Sequence, residues 1–131
     1  GVAHAVWLDH RGLAASGQGA GHHRHATGAA AAVDGSVMAQ RSALYYAAVG
    51  ATATAERAVT PGVCYCCKTA IAAGADGTLF AAWRHVYPGD FRDMAMAVSR
   101  DGGRTFSAPA RVSEDGWSLN GCPDDGPAVV V

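Results

Sequence analysis

A chain of 131 residues is long enough for one core, and its formal charge of −1 leaves neither a basic footprint for nucleic acid nor an acidic tail. No apolar run approaches the roughly 18 residues of a membrane span, and no cationic segment followed by an apolar one marks a signal peptide. Half of the residues are hydrophobic, but many are Ala, so the core must come from three Trp, four Tyr, three Phe and scattered aliphatic side chains.

Gly1 stands where an initiator Met would be, which suggests a processed or truncated product. Val2–Leu8 is rich in β-branched and aromatic residues and predicts a strand. Asp9–Ser36 is dominated by Gly, Ala, Ser and His without a sustained period, and predicts a long loop in which Ala29–Val33 is the one helical stretch. Val37–Val49 contains LYYAAV, which predicts the second strand, and Glu56–Val59 predicts a short third. Thr69–Ala73, Thr78–Val86, Asp93–Ser99 and Ala110–Ser113 predict four more, separated by the turn signals ADG, YPGD and DGG. Glu114–Gly126 reads as a loop and Pro127–Val131 as a final strand. No helix of ordinary length is signalled.

The parts recur. Trp7 and Trp83 each end a strand, LYYAAV and DMAMAV follow them, and a short strand follows each of those. CCKTAIAA and CPDDGPAVVV both open new units. With strands labelled A to D, the chain runs B-C-D, A-B-C-D, A. Repeats of short four-stranded units mark a propeller. The expected fold is therefore all-β, with about two four-stranded antiparallel propeller blades in an incomplete ring. Residues 1–60 form a partial blade with the long loop 9–36, residues 61–113 a complete blade, and residues 114–131 a loop and the first strand of the next. A closed propeller needs about four to eight blades. The ring would be completed by other copies of the chain or by further blades of a longer protein.

SRDGGRTF at Ser99–Phe106 fits Ser-x-Asp-x-Gly-x-Thr-Phe, the Asp box of sialidases and related propellers, in Ser99, Asp101, Gly103, Thr105 and Phe106. Gly102 and Gly103 supply the positive φ that a tight hairpin needs. Asp101 can accept hydrogen bonds from the backbone of the turn, and Phe106 can pack beneath it. The box is a folding staple and not a catalytic site. The run from CCKTAIAA through SRDGGRTF, followed by GWSLNGCPDDGPAV, resembles bacterial sialidase-like proteins with BNR repeats, well over residues 63–131 and loosely over residues 1–60. In the first unit the box has decayed to AVGATATA at Ala48–Ala55, which predicts a weaker turn. The resemblance implies an arginine cluster for a substrate carboxylate, an acid/base Asp and a Tyr–Glu nucleophile pair. The Tyr–Glu pair and the family's opening arginine motif have no match here.

In such a blade the A–B and C–D turns lie at one end and the B–C and D–A loops at the other. That arrangement sends the Asp box to one end, and all the cysteines and every His except His4 to the other. Asp9, Arg11, Arg84, Arg92 and Asp93 are the candidates for a carboxylate or sugar site, since Arg forks suit carboxylates; the alternative is ion pairs between blades and turn caps. Cys64, Cys66, Cys67 and Cys122 are open to three readings: disulfides between loops, soft ligands for Zn or Cu, or free thiols. Their spacing does not select among these. His22, His23 and His25 offer further metal ligands or a solvated loop. Trp117, in a loop, is the candidate for stacking on a glycan. Two functions follow. One is an extracytoplasmic, periplasmic or secreted, sialidase-like propeller segment acting as a binding or structural subunit with a Cys-based metal or disulfide site. The other is a fragment of a glycoside hydrolase resembling exo-α-sialidase.

Overall fold

The computed structural model describes residues 1–14, 35–121 and 123–131. Two antiparallel sheets dominate it. The first has the order β1 (Ala3–Asp9), β2 (Ala43–Val49), β3 (Arg57–Pro61). The second has the order β4 (Thr69–Ala73), β5 (Leu79–Arg84), β6 (Met94–Ser99), β7 (Ala110–Arg111). Every strand pairs with its neighbour in sequence, and neither sheet closes on itself. Among the described residues, two short helices, α1 (Arg11–Ala14) and α2 (Gly35–Gln40), precede β2.

The period of two is visible in burial. Leu44, Tyr46 and Ala48 of β2 turn inward, as do Ala95, Ala97 and Ser99 of β6. β5 is buried on both faces, which is why it reads as an almost unbroken apolar run ending in fully buried Trp83. Leu44 and Val63 pack with Ala81, Trp83, Ala95 and Ala97, and Val6, Leu8, Val59 and Phe106 close over them. Each fully buried large aliphatic contributes about 1.5–3 kcal/mol, whereas the alanines mainly allow close approach. β1 lies against β4, with the Thr69 hydroxyl donating to Val6 O at 3.3 Å.

The Asp box closes its hairpin through its own side chains. The Asp101 carboxylate accepts from the Ser99 hydroxyl at 2.8 Å, the Thr105 N–H at 2.9 Å and the Thr105 hydroxyl at 2.6 Å. The Gly103 N–H donates to Ser99 Oγ at 2.8 Å. Beneath the turn, Phe106 meets Tyr46 edge-on at 5.1 Å between centroids. Tyr46 thus ties β2 of the first sheet to the hairpin of the second. In the decayed box Thr54 takes over: it accepts from Ala48 N–H at 2.9 Å and donates to Ala48 O.

Two expectations need correction. The loop expected over Asp9–Ser36 carries α1 near its start and runs into α2 at Gly35, where Ala39 is buried against Cys64, Cys67 and Val86, whereas the strand expected at LYYAAV forms as β2. The strand expected at Pro127–Val131 does not form. A strand needs a ladder partner, and this segment finds none among the described residues; Val130 is 93% exposed. The Ala29–Val33 stretch lies outside the described residues.

Candidate functional site

Strand register decides which residues meet. In the second sheet Leu79 pairs with Ser99, and Arg84 with Met94. The Asp box and the Gly74–Thr78 turn therefore share the Leu79 end, where the Asp76 carboxylate feels the charge of Arg100. The opposite end collects the 85–93 connection, the cysteine loop 64–68 and residues 112–121 and 123–125. β1 and β2 add Asp9, His10 and Ser42 to it, since Asp9 pairs with Ala43 and Ala43 with Pro61. His10 Nδ1 lies 3.0 Å from Ser42 Oγ, and its ring meets Tyr65 edge-on.

Three of the five sugar-site candidates form a buried network at this end. Arg84, Arg92 and Asp93 are 7%, 0% and 0% exposed. Arg84 ends β5 and grips Asp125 through Nη2 at 2.7 Å and Nε at 2.8 Å, while its Nη1 donates to Arg92 O. Arg92 donates from Nε to Leu119 O and from Nη1 to Cys64 Sγ at 3.1 Å. Asp93 accepts from Arg111. Main-chain bonds hold the frame: Cys64 N–H to Arg84 O, His85 N–H to Asp93 O, and Arg92 N–H to Trp117 O. Among the described residues, Arg92 Nη2 and Asp93 Oδ1 are buried without a hydrogen-bond partner.

Asp9 and Arg11 are instead a surface pair. Arg11 reaches Asp9 at 2.6 Å and Glu56 at 2.6 Å, and its guanidinium lies over the Tyr45 ring. The hydrogen bond from Arg11 holds the Asp9 carboxyl at about 2. Trp117 is 40% exposed, with Arg84 stacked over its ring at 5.0 Å. His85 is held neutral by burial, which lowers its pKa, and its Nδ1 accepts from the Trp83 indole at 3.2 Å.

The cysteine loop is the densest chemistry at this end. Sγ atoms of Cys64, Cys66 and Cys67 lie within 4.8 Å of one another. Cys64 and Cys67 are buried free thiols 2.9 Å apart, and Cys66 is disulfide-bonded. The Cys67 N–H donates to Cys64 O at 3.2 Å, a turn that brings residues three apart side by side. Hydrogen bonding from Cys67 and the charge of Arg92 lower the Cys64 thiol to about 6. The same contact with Cys64, together with burial, pushes Cys67 up. Cys122, His22, His23 and His25 lie outside the described residues.

A shallow concavity of about 470 Å³ lies at the other end, lined by Val98, Arg100, Asp101, Thr105 and Ser107. It is remote from the buried charges, and Asp101 is committed to the turn, so the cysteine end is the better candidate. Asp125 and Arg111, the partners of Arg84 and Asp93, carry no local sequence signal, and the Cys64–Cys67 pair carries only its Cys-x-x-Cys spacing. Comparison with known proteins gives no family model, no curated protein and no solved structure that matches the chain.

Proposed function

We propose that these two sheets are consecutive blades of a sialidase-like propeller outside the cytoplasm, serving a binding or structural role without hydrolysing glycosides. The carrying observation is the engagement of Arg84, Arg92 and Asp93. A substrate carboxylate needs guanidinium forks that face solvent. Here Arg84 is closed on Asp125, and Arg92 donates from Nε to Leu119 O and from Nη1 to Cys64 while its remaining Nη2 is buried away from solvent. Removing either from its partners would strand a buried charge. The closed Asp box and the sequential antiparallel order of both sheets support the blade reading. The disulfide at Cys66 supports an oxidising compartment. The partners are the remaining blades, from the same protein or from other copies, and a glycan is the candidate ligand for Trp117.

The test is hydrolysis of a fluorogenic sialoside by the purified chain. The reading predicts no fluorophore release above buffer. Release that saturates with substrate and is lost on Arg92→Lys would establish the glycoside-hydrolase reading in its place.

A further inference from the structure

The cysteine loop holds a dithiol beside a disulfide. Cys64 Sγ lies 2.9 Å from Cys67 Sγ on one side and 3.8 Å from Cys66 Sγ on the other. Zinc ligation fits this geometry poorly. Thiolates about 2.3 Å from a tetrahedral zinc stand about 3.8 Å apart, well beyond the Cys64–Cys67 separation. Arg92 Nη1, 3.1 Å from Cys64 Sγ, fixes a positive charge beside the sulfur a cation would need. Cys66 already has its sulfur in a covalent bond. By contrast, closing Cys64 to Cys67 needs an approach of only about 0.9 Å to reach a disulfide bond length near 2.05 Å.

We propose that Cys64 and Cys67 are a redox-active pair that exchanges with the Cys66 disulfide, passing two electrons from a buried dithiol to that disulfide. The nucleophile is the Cys64 thiolate, favoured by the Arg92 guanidinium and by the hydrogen bond from Cys67. It attacks Cys66 Sγ, forms the Cys64–Cys66 bond and breaks the existing disulfide of Cys66. The displaced partner sulfur leaves as a thiolate and takes up a proton from solvent. Cys67 then loses its proton and attacks Cys64 Sγ. The Cys64–Cys67 bond forms, the Cys64–Cys66 bond breaks, and Cys66 leaves with the electron pair and takes up the proton. The Cys64–Cys67 pair has been oxidised by two electrons, and the former Cys66 disulfide has been reduced to two thiols. No external oxidant is consumed. The exchange carries reducing equivalents from the buried Cys64–Cys67 pair to the disulfide of half-buried Cys66.

The test equilibrates the full chain in glutathione buffers of graded poise, then quenches with acid, alkylates and maps disulfides without reduction. Wild type is expected to yield two isomers, one with Cys66 disulfide-bonded and one with Cys64 joined to Cys67 and Cys66 alkylated. Cys67→Ser cannot make the second displacement, so it is expected to accumulate the Cys64–Cys66 bond; Cys64→Ser is expected to keep only the Cys66 disulfide. Wild type that shows no isomer with Cys64 joined to Cys67 and Cys66 alkylated, at any poise, overturns the proposal. So does one equivalent of zinc or copper bound to the purified chain and released by alkylating Cys64. Should a serine variant fail to fold, the wild-type map decides alone.

Discussion

Gly103→Ala is expected to be one of the most damaging single-methyl additions in the chain. Gly103 sits at φ +86°, and a Cβ there would lie 2.0 Å from Tyr46 Oη, 2.3 Å from its Cζ and 2.6 Å from its Cε1. The backbone term alone is about 1–2 kcal/mol for an L-residue. Tyr46 is 1% exposed and cannot swing away, because Ala48, Leu79, Val6, Val59, Ile71 and Phe106 surround it. Overpacking of that kind costs about 1–3 kcal/mol more. The sum, about 2–5 kcal/mol, is a large share of a typical domain stability of about 5–15 kcal/mol. Gly102 is the internal control. It has φ +69° but nothing within 4 Å of its missing Cβ, so Gly102→Ala should lose only the backbone term. Urea unfolding followed by Trp fluorescence measures both. Equal midpoints for the two variants would refute the claim that the Asp-box turn is seated on Tyr46.

Other consequences concern pH and charge. The Asp101 carboxyl is held below the usual range chiefly by the Thr105 hydroxyl, then by the Thr105 N–H and the Ser99 hydroxyl. Its contribution is therefore in place above the unfolded value of about 3.9 and is lost as pH falls through and below it. Asp101→Asn should flatten the acid limb of the denaturation midpoint against pH; an unchanged limb contradicts the staple. His85 has its pKa lowered by burial, so its stabilisation is present above about 6.5 and declines as pH drops below that. His85→Gln should remove that slope between about pH 6.5 and 5, read by urea midpoints across that range. Cys64 faces Arg92, Cys67 and Cys66, and the charge of Arg84 acts on Cys67. Arg92→Met should move the Cys64 thiolate transition up from about 6, followed by ultraviolet thiolate absorbance; an unmoved transition would remove Arg92 from the account.

Local features were legible and distant ones were not. β2 declares itself by its aromatic and aliphatic run, β6 by a weak alternation and β4 by its apolar run before the ADG turn, because those signals span fewer than ten residues. The Asp box is legible for the same reason: its hydrogen bonds join residues at most four apart. α2 carries one buried alanine on six residues and no periodic stripe, so its sequence resembles the strand it leads into. The Arg84–Asp125 pair spans 41 positions and Arg111–Asp93 spans 18, and no local pattern announces either. The end of the fold on which Arg84, Arg92, Cys64, Cys66 and Cys67 meet follows from strand order. What they do there does not, because engagement depends on side-chain partners that only the packed loops supply. For the cysteines, composition gives four sulfurs, but the turn at Cys64–Cys67 and the guanidinium beside it set their chemistry.

The central claim is that the arginines at the cysteine end serve the fold and not a sugar. The most direct measurement is nitrogen-15 NMR of the Arg92 Nε–H group in the intact chain, with and without N-acetylneuraminate. The account predicts a slowly exchanging proton, hydrogen-bonded to Leu119 O, whose resonance does not move as the sugar is added. A rapidly exchanging Nε–H that shifts and saturates with the sugar would contradict it.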